Sequence, residues 1–497
     1  MVAMMPVVIP KRKSRSGQFA ICLAGSEPLF SSSLQIGEWV LSYDTLASVH
    51  RVFDKSGYLV GAFVGVLIDY AQEIVVTSDI TLTVSEDDER FIETIEAQIY
   101  RYAGSWLFLL ATDAQQRIYL DPCGSHSLVY EPTRKIAAST VGLILDDVEY
   151  QERFDRVLHD AMEINKTGWF PAGLTAHHNV KRLVANHYLD LVTWGGRRHW
   201  PLCDFEAKRP VAEVGPHIAR LISATLKALK NNGRVALAIT GGKDSRLLLS
   251  ACREFISEID LLTIDLPGSE KDVYLAKALT DLDNTMQHAV LPPVRADEEQ
   301  RTAWLYNASH CVGGVNQYYS GSLAPILGNK YFISGAAGEI GRAYLWRDGD
   351  NSNTALSAKG LIGRLGLKHH ERIEAAITSW LGEVKNFDLY TILDLAYAEL
   401  RVSSWAFVQS YAYAGKGRIT QISPFSNREL ISLLFSLPPA DRRSEAYVYT
   451  GIEAMWPDLL KVGFNKYGDF RDALQFVRRA INPGRLAHKL RSLLAPM

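Results

Sequence analysis

This chain of 497 residues has no excess of charge of either sign: 53 Lys and Arg stand against 55 Asp and Glu, a formal net charge of -2. That balance excludes a global electrostatic pull towards nucleic acid or an acidic membrane surface. Cysteine is scarce. Cys22, Cys123, Cys203, Cys252 and Cys311 are scattered, with no CxxC pair and no Cys–His spacing suited to structural zinc. So sparse and odd a set reads as the reduced thiols of a cytoplasmic protein. Long apolar runs are missing too. The longest, Leu59 to Ile68, stops at Asp69 and is about half the roughly 20 residues of a membrane helix. The opening MVAMMPVVIPKRKSRS lacks the order of a secretory leader, in which charges precede the apolar stretch, and reads as a loose segment. Repeats and low-complexity tracts are absent.

What the chain does have is a change of texture part-way along. From Gln18 to Tyr130, short apolar runs are broken by Gly, Asp and Ser: Gln18–Leu23, Tyr58–Ile68, Thr81–Val84, Trp106–Ala111, Ile118–Leu120 and Leu128–Tyr130. This spacing predicts a strand-rich layered unit, with helices over Glu89–Ala103 and around Phe154–Ile164. The stretch from Trp169 to Pro201 is irregular, with a short strand at His187–Val192, and a boundary falls near Asp204. Beyond it the order is helix Val214–Asn231, strand Val235–Ile239, helix Ser245–Phe255, strand Ile259–Ile264, helix Glu270–Leu282 and strand His288–Leu291. Alternating strand and helix at this spacing predicts a parallel sheet with helical crossovers. After Trp346 the pattern is mostly helical, with strong periodicity at Ala375–Trp380, Leu389–Tyr413 and Leu430–Leu437.

The segment Val235–Leu249 carries the chemistry. An apolar strand runs into Thr240-Gly241-Gly242-Lys243-Asp244-Ser245 and then into a helix. The glycines let backbone N–H groups close on an anion, and the helix start adds free amides and a positive dipole end. Thr240 and Ser245 supply hydroxyls, and Asp244 supplies a hard oxygen ligand for magnesium. It is not a Walker A loop, which needs Gly where Leu237 stands and Ser or Thr where Asp244 stands.

This [ST]-G-G-x-D-S segment resembles the pyrophosphate loop of the N-type ATP pyrophosphatases, and three further segments are similar to their asparagine synthetase-like branch. Tyr331-Phe-Ile-Ser334-Gly335-Ala336-Ala337-Gly338-Glu339-Ile340-Gly341-Arg342 resembles that branch's strand and S-G-x-G-x-D-E-x-F-G-G turn, with Ala337, Glu339 and Ile340 replacing its Gly, Asp and Glu. Ile422–Leu430 resembles its V-P-F-x-D element, with Asn427 at the Asp. Lys461-Val462-Gly463-Phe464 resembles its K-x-G-F segment. In the amino-terminal half, Gly104–Leu110, Arg117–Tyr130 and Arg182–Leu191 are similar to a class II glutamine amidotransferase domain. That class needs a cysteine as its mature first residue, whose own amine serves as base. This chain starts Met1-Val2-Ala3, and neither Cys22 nor Cys123 is placed for that role, as in β-lactam and lasso-peptide macrolactam synthetases.

The resemblance implies a fold of α/β plus α+β class. Residues 1–204 would form a degenerate Ntn-type αββα amidotransferase-like domain, and 205–497 a doubly wound PP-loop domain with a helical extension. It implies a glutamine-independent, ATP-dependent ligase that adenylates a carboxylate, releases pyrophosphate and couples the acyl group to a substrate-borne amine. Peptide or natural-product biosynthesis, such as macrolactam formation, is the implied setting. The alternatives are an ammonia-dependent asparagine synthetase and a non-catalytic ATP-binding homologue. ATP and Mg2+ are the expected cofactors, and the partner is a small molecule or peptide with a free carboxylate and an amine, not nucleic acid or membrane. Thr240, Gly241, Gly242, Lys243, Asp244, Ser245, Ser334 and Gly335 would hold ATP and pyrophosphate. Asp244 and Glu339 would bind metal. Lys461, with Lys466 as substitute, would bear the developing charge.

Other features read more plainly. The adjacent pairs His177-His178 and His369-His370 cannot each face one site and read as solvated or capping. The runs Lys11–Lys13 and Arg478, Arg479, Arg485, Lys489 and Arg491 read as solvated. Trp405, Phe407, Tyr411 and Tyr413 read as core, and Gln317-Tyr318-Tyr319 as a candidate acceptor wall.

Overall fold

The computed structural model describes residues 7–11, 13–205, 209–313, 330–352, 354–408, 420–467 and 472. Tyr411, Tyr413, the Gln317–Tyr319 stretch, Arg12 and the basic tail from Arg478 onward lie outside them. The described chain is a mixed α/β structure with two antiparallel or mixed sheets before residue 200 and one parallel sheet after it.

The run Leu59–Asp69 forms the longest strand of the first region and pairs antiparallel with Tyr102–Ala111 from Gly61 to Asp69. Every residue of Tyr102–Ala111 is buried, so polar alternation is absent from it. The reason is that both faces are covered. One face, with Ala62, Val64, Leu107 and Leu109, meets Phe19, Ile21, Trp39 and Leu41 of the other sheet. The opposite face, with Phe63, Trp106 and Phe108, lies under Phe91, Ile95 and Ile99 of a helix. The second sheet's outer residues Ala20, Val129 and Ala138 pack on Val141, Ile144 and Tyr150.

That helix spans Phe91–Ile99, shorter than the Glu89–Ala103 expected, because its apolar stripe ends at Ile99 and a fully buried strand begins at Tyr102. The helix expected around Phe154–Ile164 is Arg156–Ala161, started by the Asp155 carboxylate accepting from the Leu158 N–H. Such a cap fixes the first turn and sets the boundary.

The parallel sheet has the strand order Gln287–Leu291, Ile259–Ile264, Val235–Ala238, Tyr331–Ile333, Thr420–Ile422, and every neighbouring pair is parallel. Its helices Val211–Asn232, Lys243–Ala251 and Glu270–Thr280 follow the predicted order. Because Tyr331–Ile333 sits directly beside Val235–Ala238, the turns that leave the two strands emerge side by side. This adjacency positions the site.

Helix Leu389–Ala396 continues as a π-helical segment, Tyr397–Ala406, instead of the uniform helix expected over Leu389–Tyr413. Contacts across residue 204 are buried and polar as well as apolar. Glu399 is fully buried and takes Arg198 and Asn186, Trp169 donates its indole N–H to the Leu400 carbonyl at 2.7 Å, and Ser426 donates to Asp121 at 2.7 Å. One apolar core joins Ile68, Ala103 and Phe170 to residues of the parallel sheet and its helices. All five cysteines are free, and no helix among the described residues is long and apolar enough to cross a membrane.

The histidine expectations divide. His370 caps the helix Glu371–Val384 by accepting from the Arg372 N–H, and His369 pairs with Glu374 at 2.6 Å. His178 is half-exposed beside Asp155. His177 departs from the solvated or capping role: it is 2% exposed and wedged against Tyr150 and Phe154, where the chain bridges antiparallel to Phe154.

Candidate functional site

The central strand Val235–Ala238 delivers Thr240–Ser245 at its carboxyl end, where open α/β sheets take ligands. Gly242 is the N-cap of helix Lys243–Ala251, so its first-turn amides point into the bend. Thr240 and Ser245 lock the turn. The Thr240 N–H donates to Ser245 Oγ at 3.2 Å, their hydroxyls meet at 3.0 Å, and the Gly242 N–H donates to Thr240 Oγ1 at 3.2 Å. The Gly241 N–H donates to the Asp272 carboxylate at 3.0 Å.

The second turn, Ser334–Arg342, lies directly against the first. A Cβ on Gly338 would come within 2.6 Å of Asp244 Cγ, and one on Gly335 within 3.0 Å of Asp244 Cβ. Glycine at 338 is therefore a condition for Asp244 to sit where it does. Ala337 adopts φ +71, the left-handed region that a Cβ disfavours. Ser334 Oγ accepts from Gln421 Nε2 at 2.9 Å, and the Gly338 carbonyl accepts from the Tyr447 hydroxyl at 3.1 Å. A cavity of about 170 Å3, lined by Gly65, Ser105, His126 and Thr420, reaches the same Gln421 from the amino-terminal sheets.

Charge at the bend is organised by Arg342 and Glu445, which sequence reasoning did not single out. The Arg342 guanidinium pairs with Asp244 and, at 3.1 Å, with Glu445, and Glu445 also holds Lys243. Glu445 does this from the left-handed conformation, φ +57, at the start of helix Ala446–Met455. Burial pushes the Asp244 carboxyl up to about 6, Glu339 adds to the rise, and Arg342 opposes it. Arg342 is raised, burial working against its charge and Asp244 overriding it. Its Nε is buried without a hydrogen-bond partner among the described residues.

Glu339 lies close enough to influence Asp244 and accepts a hydrogen bond from Tyr397 at the start of the π-helical segment. Burial first, and Glu339 second, raise the Tyr397 phenol. Arg246 touches the bend at the Gly241 carbonyl, 3.5 Å from its Nη2. It is 0% exposed, stacks on Phe464 at 3.8 Å and donates to the carbonyls of Leu459, Val462 and Gly463. The Asn465 N–H reaches the Gly241 carbonyl at 3.0 Å. The K-x-G-F segment thus packs on the loop through its backbone and Phe464. Its lysine does not take the expected place: Lys461 is 73% exposed and paired with Asp458 at 2.6 Å. The cause is the short 3-10 turn Pro457–Lys461, whose i,i+3 spacing sets these two side chains together. Lys466 is exposed as well. Among the described residues Lys243, Arg246 and Arg342 are cations at the loop, with Arg246 turned to backbone carbonyls and Lys243 and Arg342 to carboxylates.

Of the expected residues, the structure therefore gathers Thr240, Gly241, Gly242, Lys243, Asp244, Ser245, Ser334, Gly335 and Glu339, and leaves out Lys461. No group of three or more His, Cys, Asp or Glu among the described residues is arranged to hold a metal ion. Two nearby carboxylates suit Mg2+ carried in on phosphates, since that ion takes one or two protein carboxylates and completes its shell with phosphate and water. The unpartnered Arg342 Nε and the helix start suit the phosphates themselves. No protein-family model matches the chain, and no curated protein matches it.

Proposed function

We propose that the chain is an ATP-dependent carbon–nitrogen ligase that adenylates a substrate carboxylate and passes the acyl group to an amine. The observation that carries this reading is the meeting of the Thr240–Ser245 bend and the Ser334–Arg342 turn at adjacent parallel strands, with Asp244 seated against Gly335 and Gly338. The order of motifs resembling the asparagine synthetase-like family supports it. On this reading, residues 1–204 are a degenerate Ntn-type αββα domain acting as scaffold, and 205–497 are the PP-loop domain.

The bend's amides and hydroxyls hold the phosphates, and Lys243 and Arg342 neutralise them. Asp244 and Glu339 would hold Mg2+, which when bound screens phosphate charge. The substrate carboxylate attacks the α-phosphorus, giving an acyl-adenylate and pyrophosphate, and an amine held nearby displaces AMP. Holding the two reactants together makes the second step effectively unimolecular. Cys123 supports the absence of glutamine hydrolysis: it is fully buried, and burial pushes its thiol up to about 12.

A second reading, a nucleotide-binding protein without catalysis, is favoured by one set of contacts. Arg342 covers Asp244, Tyr397 covers Glu339, and Asp272 covers the Gly241 amide. ATP–pyrophosphate exchange measured over a panel of acids, with Asp244→Ala as control, separates the readings. Exchange that needs an acid and is lost in the variant supports the ligase, whereas ATP binding with no exchange on any acid supports the second reading. Formation of asparagine from aspartate, ATP and ammonium would instead assign the ammonia-dependent synthetase.

A further inference from the structure

Near Glu339, on the π-helical segment Tyr397–Ala406, the Arg401 guanidinium lies over two indoles, 4.1 Å from the Trp169 ring centroid and 4.3 Å from that of Trp405. Trp169 is 3% exposed and pinned through its N–H to the Leu400 carbonyl, so the clamp is rigid on that side. A guanidinium held over aromatic rings keeps its N–H donors in its own plane. Yet Arg401 has no carboxylate within ion-pair distance and no hydrogen bond among the described residues. The groups that feel its charge are Tyr344, Tyr397 and Glu339, and Glu339 already accepts from Tyr397. A half-buried arginine kept charged without a counter-ion is costly, and this one is aimed by two tryptophans. Next to it, Tyr344 packs against Tyr397, ring centroids 4.5 Å apart and tilted by 39°, while remaining 53% exposed beside the Glu339 turn.

We propose that Arg401 receives the carboxylate of the acid substrate, edge-on and by two parallel hydrogen bonds, and that Tyr344 forms the wall against its apolar or aromatic body. This deepens the ligase reading and rests on it for the identity of the bound acid as the reactant. It names the substrate class as a carboxylic acid with a flat apolar group near the carboxyl. The fork geometry also accounts for arginine at this position: a lysine would supply charge without the paired donors.

The test uses phenylacetate as probe, titrated into the full chain by calorimetry in the presence of magnesium and α,β-methylene-ATP, with phenylacetamide as the uncharged counterpart. Phenylacetate is expected to bind and the amide to bind about tenfold or more weakly, the scale of one charge-assisted contact. Arg401→Gln should lose the acid by a similar factor, Arg401→Lys should recover only part of it, and neither should change nucleotide affinity. Tyr344→Ala, at an exposed position, should weaken phenylacetate but leave acetate unaltered, which keeps the proposal open to refutation if Arg401→Gln fails to fold. Equal binding of acid and amide, an Arg401→Gln titration like the wild type, or no phenylacetate binding by the wild type overturns the subsite. A wild type that binds phenylacetate through Arg401 but takes no nucleotide leaves the subsite standing and sinks the ligase reading instead.

Discussion

The guanidinium of Arg342 sits on the carboxylate of Asp244, 98 residues away in sequence, and Glu445 grips the same arginine from its other nitrogen. Both carboxylates are largely shielded, at 21% and 20% side-chain exposure, so removing the cation takes the ion-pair partner from Asp244 and leaves Glu445 with Lys243 alone. We expect Arg342→Met to lower stability by about 2 kcal/mol, reduced from the value for a fully buried pair by the remaining solvent contact. Nucleotide binding should fall with it. Urea denaturation and a nucleotide titration check the two effects, and a variant that binds nucleotide as tightly as the wild type contradicts the role given to Arg342.

Lys461 and Lys243 make opposite predictions. Lys461 is exposed and, among the described residues, engaged only with Asp458, so Lys461→Ala should leave nucleotide affinity within about twofold and stability within about 0.5 kcal/mol. Lys243, at the helix start and bound to Glu445, should cost about tenfold in affinity when replaced by Ala, the scale of one charged hydrogen bond. Parallel titrations with α,β-methylene-ATP decide this. A large loss at Lys461 and none at Lys243 would restore the original expectation from the K-x-G-F segment.

Gly338→Ala tests the cradle around Asp244. The added methyl would meet Asp244 Cγ at 2.6 Å and Oδ1 at 2.7 Å, so either the carboxylate or the turn must shift. A cost of about 1–3 kcal/mol is expected from such overpacking. Pyrophosphate exchange should fall further than the change in folding accounts for, which comparing activity of the folded fraction would reveal. Unchanged exchange would mean that the closeness of the two turns has no part in function.

A pH effect should arise far from the bend. His310 is held down to about 3, chiefly by burial, with His159 and Arg156 adding repulsion, and it packs with Tyr150 and Phe154. His177 is also lowered, first by burial and then by His310. A histidine whose folded value is depressed stays neutral in the native state while the unfolded chain takes up a proton below about 6.5. Stability from this group is therefore complete above that value and is lost as pH falls towards 3, by up to about 1.4 kcal/mol per unit. Position 310 has φ +51, so Asn, which tolerates that conformation, is the suitable replacement. His310→Asn should flatten the fall in stability between neutral pH and about pH 5, read from denaturant midpoints. An identical slope in the variant would remove His310 from the explanation.

What could be read from the sequence was what is local. The strand into Thr240–Ser245 and the helix after it are coded within fifteen residues, and strand Ile259–Ile264 was placed to the residue. That the Ser334 turn would lie beside the bend follows once the two strands are neighbours. The partners of the acidic residues were not legible. Arg342 and Glu445 reach Asp244 and Lys243, and Tyr397 reaches Glu339, by tertiary packing that no spacing encodes. Polar strands such as Ser32–Ile36, with alternate exposed residues on a sheet edge, also lacked an apolar signature. The π-helical segment was hidden because its composition is that of an ordinary helix, although it is what carries Tyr397 and Arg401 together.

Glu399 has an implication for how the polypeptide could be divided. Burial works against its charge, yet Arg198, His187 and Asn186 hold it below the ordinary carboxylate range, and all three come from the other side of residue 204. A truncated product starting there would carry a stranded anion at its heart and a bare apolar wall where Ile68, Ala103 and Phe170 had lain. Each fragment, expressed by itself, should aggregate, and mixing the two during refolding should rescue both.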